Sequence, residues 1–174
     1  AGTILKCVRP GTISENEKFL AQLIQEDKAA VRAAFDVISA DIAKLAERII
    51  KEGGATGVYF SLQNLAGSAD RALYDEVFAP GEKEILRAAN HASAYNILHI
   101  CGYLGHRNEL DWYKDYEAKT INWAAVVEGV PLEEGKKIFP QHALLGGFGN
   151  LPNDVLCSGT RAEVEAETRR IPAA

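Results

Sequence analysis

Asn96–Gly105 is Asn-Ile-Leu-His-Ile-Cys-Gly-Tyr-Leu-Gly, the stretch around which the rest of the chain is organised. Asn96–Cys101 has the composition of a short buried strand, and Gly102 breaks it into a loop that ends at Gly105. Side chains alternate across a strand, so Ile97, His99 and Cys101 are expected on one face and Leu98 and Ile100 on the other. Two metal-ligating side chains therefore project together where a strand gives way to a glycine loop. Such strand ends are where α/β enzymes keep their chemistry.

Working outward, the same strand–loop–helix alternation recurs. Upstream, Val31, Ala34, Phe35, Ile38, Ile42, Leu45 and Ile49 recur at helical spacing, with Asp27 as the expected N-cap and Gly53-Gly54 as the stop. Residues 1–26 read as an irregular lead-in. Gly57–Ser61 is a β-rich run, residues 68–80 are a polar, partly helical loop closed by Pro80-Gly81, and a helix is expected near Glu82–Ala94. Downstream, Asn108–Tyr116 is short and helical and Lys119–Trp123 is a strand. Pro131–Ile138 is a helix with Pro131 in its first turn, and Ala143–Phe148 is a strand ending at Gly149-Asn150. Thr160–Ile171 is a charged helix opened by a Thr160/Glu163 capping box. Strands alternating with helices imply a parallel sheet with helical crossovers. Each strand also ends in polar residues or glycine, the habit of a (β/α)8 barrel. Such a barrel takes roughly 250 residues, so the 174 residues here are expected to represent only part of one. The alternative, an open doubly wound sheet, lacks a Gly-rich phosphate loop to support it.

Composition narrows the function classes. The chain is 47% hydrophobic and 25% charged with net charge −5, as in ordinary soluble domains. It has no basic stripe for nucleic acid and no apolar run for a membrane. Three separated cysteines, Cys7, Cys101 and Cys157, argue against a disulfide framework and for a reducing compartment, so a cytoplasmic location is expected. The chain contains no methionine. That is expected of a fragment, or of a sequence from which residues have been lost, and makes each spacing a lower bound.

The run from Gly57 to Ile171 resembles the C-terminal half of the uroporphyrinogen decarboxylase superfamily. The resemblance lies in Val58–Gly67, which ends Leu65-Ala66-Gly67, in Asn96–Gly102, in Ile121-Asn122-Trp123, and in Gly147–Leu156 around Gly149-Asn150-Leu151-Pro152. It implies a (β/α)8 barrel with a cleft at the strand C-termini, and one of two chemistries. Decarboxylases of that family act on uroporphyrinogen without metal or cofactor, through an Asp and Arg residues of the N-terminal half. Methyltransferases use zinc to activate a thiol that takes a methyl group from a corrinoid, with a His-x-Cys pattern on one strand and a second Cys downstream. His99-Ile100-Cys101 matches the first element of the zinc pattern. The decarboxylases lack His and Cys there, and usually read Gly-Asn-x-Asp-Pro where this chain has Gly149-Asn150-Leu151-Pro152-Asn153.

These readings give the candidate residues. His99 and Cys101 are the candidate zinc ligands, or else core residues. Cys157 is the visible candidate for a third ligand but reads better as a packed turn residue. Tyr59, Gln63 and Asn64 line the cleft, or pack, cap and turn. His106 and Arg107 meet a substrate carboxylate or are solvated loop charges. Asn122 and Trp123 close the third strand, Trp123 chiefly by packing. Asn150, with Gly149, allows backbone to approach a ligand or forms a turn. His91 and His142 read as solvent-facing. The implied partners are a tetrapyrrole or a corrinoid with a small thiol, and a corrinoid protein; a homodimer is left open. The alternatives are uroporphyrinogen decarboxylation with no cofactor, and a tetrapyrrole-binding protein without catalysis.

Overall fold

A computed structural model describes residues 11–64, 70–102, 106–149 and 151–171. The order is helix α1 (Ile13–Lys51), strand β1 (Tyr59–Leu62), α2 (Arg71–Val77), α3 (Ala79–Ala92), β2 (Ile97–Ile100), a 3-10 turn (Leu110–Tyr113), β3 (Thr120–Trp123), α4 (Ala125–Glu128), α5 (Leu132–Ile138), β4 (Ala143–Leu145), α6 (Val155–Ser158) and α7 (Arg161–Arg170).

The four strands form one parallel sheet in the order β1-β2-β3-β4. Each strand lies beside the next in sequence, so the winding never reverses. A doubly wound sheet has a switch point where the order turns back, and among the described strands there is none. Register places Ser61, His99 and Asn122 side by side, with Leu145 paired to Asn122. The intervening residues Leu62, Leu98, Ile100, Ile121 and Trp123 are buried on the other face, with Tyr74, Leu86, Tyr113, Tyr116 and Phe139. Among the described residues the core thus lies on one side of the sheet, while Tyr59 and Leu145 are exposed on the opposite face. A barrel turns that second face inward.

Several sequence expectations are corrected here. The lead-in is helical from Ile13, capped by a Thr12/Glu15 box. Asp27 is an N-cap as expected: the long helix breaks there, at φ −154° and ψ 85°, and its carboxylate accepts from the Ala30 N–H at 2.9 Å to cap the second segment. Phe35 of the expected stripe packs on Phe78, but from Ser39 onward the most buried positions are displaced by one. Ser39, Ala43, Ala46 and Ile50 are buried, whereas Leu45 and Ile49 face out. The reason is close packing against α3. A Cβ on Gly81 would stand 2.2 Å from Ser39 Oγ, and Ala46, Ile50 and Ala89 share a small core cluster. Small residues let the two helices approach, and periodicity of large ones misses this. Pro80-Gly81 accordingly lies inside α3, with Pro80 in its first turn, and does not close a loop. β4 stops at Leu145, because Gly146 and Gly147 take φ of 143° and 112°. Pro131 is the N-cap of α5 and so precedes its first turn. The Thr160/Glu163 box is present as expected. Among the described residues no helix is long and apolar enough to cross a membrane.

Candidate active site at the strand C-termini

The open face of the sheet carries the polar groups. Asn122, in the middle of β3, donates from Nδ2 to the Leu145 carbonyl at 2.7 Å. That bond orients the amide, so Oδ1 faces β2 and β1. There it accepts from the Tyr59 hydroxyl and lies against His99 Nδ1, both at 2.5 Å. An acceptor oxygen requires a proton on Nδ1, so His99 is the Nδ1–H tautomer and its lone pair is on Nε2. The Tyr59 ring stacks on the imidazole with centroids 5.0 Å apart. Burial holds the His99 pKa below its ordinary value, against the opposing pull of Asn122. The ring is therefore neutral near pH 7, the form a metal ligand or general base needs. Burial, with the Cys101 sulfur nearby, raises the Tyr59 pKa and keeps the phenol protonated.

Cys101 follows β2 on the same face as His99 and is a half-buried free thiol. Its backbone is anchored twice: its N–H donates to the Leu62 carbonyl at 2.8 Å, and its carbonyl accepts from Gln63 Nε2 at 3.1 Å. In kind, a neutral imidazole with its lone pair on Nε2 and a thiol are ligands that zinc accepts. Among the described residues no group of three potential ligands forms. Cys157 is exposed, in α6.

The remaining candidates divide. Gln63 is exposed on the open face beside Cys101. Asn64, one residue on, points to the helix side and is buried; its amide donates to the Glu109 carbonyl and accepts from the Glu109 N–H, each at 2.9 Å. Arg107 is exposed, with its guanidinium near Gly129, and His106 is half-buried. Trp123 is buried, its indole donating to the Val130 carbonyl at 2.7 Å. His91 is exposed as expected. His142 is not: it packs edge-on against Phe139 with Nδ1 buried and unbonded. Asn150 lies outside the described residues, as do Cys7 and Gly105.

Sequence reasoning missed Asn108 and Glu128. Glu128, at the end of α4, is buried, and its carboxylate accepts from the Asn108 amide N–H at 2.8 Å and from Asn108 Nδ2 at 2.7 Å. Asn108 Oδ1 in turn accepts from the Asn64 N–H at 2.7 Å. The available signal was a lone carboxylate in the apolar run Ala124–Val130.

A family model described as Uroporphyrinogen decarboxylase (URO-D) matches residues 3–174. The chain belongs to the uroporphyrinogen decarboxylase family. Its parallel sheet, wound in one direction and covered on one face, is part of that family's (β/α)8 barrel. The match includes α1, which the resemblance read from Gly57 onward left out. Comparisons with curated proteins and with solved structures find no match. Membership supports a decarboxylase-like enzyme of the uroporphyrinogen decarboxylase family.

Proposed function

We propose that this enzyme transfers a methyl group from a corrinoid to a small thiol, with zinc held by His99 and Cys101. The observation that carries the proposal is the Asn122 contact, which leaves a neutral His99 with its lone pair on Nε2, on the face it shares with Cys101. Metal-ligating histidines are commonly held this way, with the second ring N–H bonded to a fixed acceptor. A zinc ion there would supply the positive charge that keeps a bound thiol deprotonated near neutral pH.

The chain's own residues have separate tasks. Asn122 holds the Nδ1 proton, and Tyr59 covers one face of the imidazole. Gln63 steadies the backbone of Cys101. His106 and Arg107, on the segment after β2, offer cationic or hydrogen-bonding groups to a carboxylate of the thiol or of the corrinoid periphery. In the transfer the S–CH3 bond forms as the C–Co bond breaks; the corrinoid keeps the electron pair and the thiol proton passes to solvent. A further ligand beyond the described residues would complete the zinc shell, and a corrinoid protein is the expected methyl donor.

The test pairs elemental analysis with two assays. About one zinc per chain, lost in His99→Ala and in Cys101→Ser, together with methyl transfer from methylcobalamin to 2-mercaptoethanol, is the expected result. Zinc-independent formation of coproporphyrinogen from uroporphyrinogen would overturn it in favour of decarboxylation. Tetrapyrrole binding with neither activity would indicate a binding protein.

A further inference from the structure

Behind the open face lies a second set of side chains bonded to one another. Glu128 is 5% exposed. An isolated buried carboxylate is costly, whereas an apolar residue of similar volume would fill the same space. Here both carboxylate oxygens are bonded to Asn108, and Asn108 is bonded to the Asn64 N–H. Asn64 then grips Glu109 from both sides of its amide. The three residues come from the ends of three successive strand–helix units. A Cβ on Gly102 would lie 2.1 Å from Glu128 Oε1, so the residue after Cys101 has to be glycine for the carboxylate to sit there.

We infer that Glu128, Asn108 and Asn64 form a positioning unit that fixes the segment carrying His106 and Arg107 relative to His99 and Cys101. Its kinetic consequence rests on the methyl-transfer reading; its geometric consequence does not. Each bond within the unit sets one donor against one acceptor, so the side chains of residues 108 and 128 can exchange roles. In Asn108→Asp with Glu128→Gln, the new Asp accepts from the Asn64 N–H and from the new Gln amide. The Gln oxygen still accepts the residue-108 N–H. Each single change instead sets donor against donor or carboxylate against carboxylate.

The experiment measures both singles and the double exchange in the full chain, by methylcobalamin-to-2-mercaptoethanol kinetics and by amide exchange of residues 106–113. Each single should raise KM about tenfold or more with a smaller change in kcat, and should speed amide exchange. The double should return both quantities to within about twofold of the parent. Singles that stay folded with unchanged amide exchange would overturn the inference, as would a double that regains the parent melting temperature while KM stays raised. If the parent transfers no methyl group, the functional reading fails and the exchange rates alone decide the inference.

Discussion

His99 Nδ1 stands 2.5 Å from Asn122 Oδ1 across the β2–β3 pair, and this contact determines which imidazole nitrogen is left to act. The acceptor cannot turn, because its own amide nitrogen is committed to the Leu145 carbonyl. Asn122→Leu keeps the approximate volume and removes the acceptor. Zinc affinity of the variant should fall about 10–100-fold, measured by competition with a chromophoric chelator. Unchanged affinity would show that the tautomer is set elsewhere.

A second carboxylate gives the fold a pH dependence. Glu82 accepts from the hydroxyls of Tyr116, at 2.7 Å, and Tyr74. Burial raises its pKa above the ordinary 4.5, and the two tyrosine bonds oppose that only in part. An acid whose folded pKa is raised binds its proton more tightly when folded. Its contribution to stability is therefore full below pH 4.5 and is lost as pH rises through the folded value. Thermal melts of the parent and Glu82→Gln between pH 4.5 and 8 should diverge in that sense, the parent losing melting temperature relative to the variant as pH rises. A constant difference across the range would count against a buried titration.

Gly135 in α5 lies against the indole of Trp123, and an added Cβ would stand 2.2 Å from Cη2. Trp123 is fixed by its bond to Val130 and by burial against Phe139, so it has little room to retreat. Gly135→Ala should cost about 1–3 kcal/mol through overpacking, despite the better helix propensity of alanine. Urea unfolding followed by circular dichroism measures it.

Helix α7 contains no buried residue, so its start depends on local bonds. Thr160 Oγ1 and its backbone N–H both donate to Glu163, each at 2.7 Å, and the Glu163 N–H returns a bond to Oγ1. Thr160→Ala should cost about 1 kcal/mol, seen as faster amide exchange in residues 161–165 with β2 unaffected.

Much of this arrangement was legible in the chain itself. Period-2 alternation put Leu98 and Ile100 opposite His99 and Cys101, and the structure keeps them so. Thr160 and Glu163 announced a capping box, and the strand–helix alternation announced parallel winding. All of these are local signals, carried by spacing along a few residues. The helix pairing was not legible, because the contact at Ser39 and Gly81 depends on small side chains that leave no hydrophobic period. Nor was Glu128, since a carboxylate is tolerated in an apolar run only when a partner distant in sequence bonds it.

The chain's local pattern was enough to place the four strands and the face on which an imidazole and a thiol would stand, because backbone alternation is a property of neighbouring residues. Long-range packing was needed to settle which histidine nitrogen carries the proton, that Asn64 faces the core while Gln63 faces the open side with Cys101, and that Asn108 and Glu128 close around Gly102. Those outcomes depend on hydrogen bonds between residues far apart in the chain, whose directions are set only once the strands are in register.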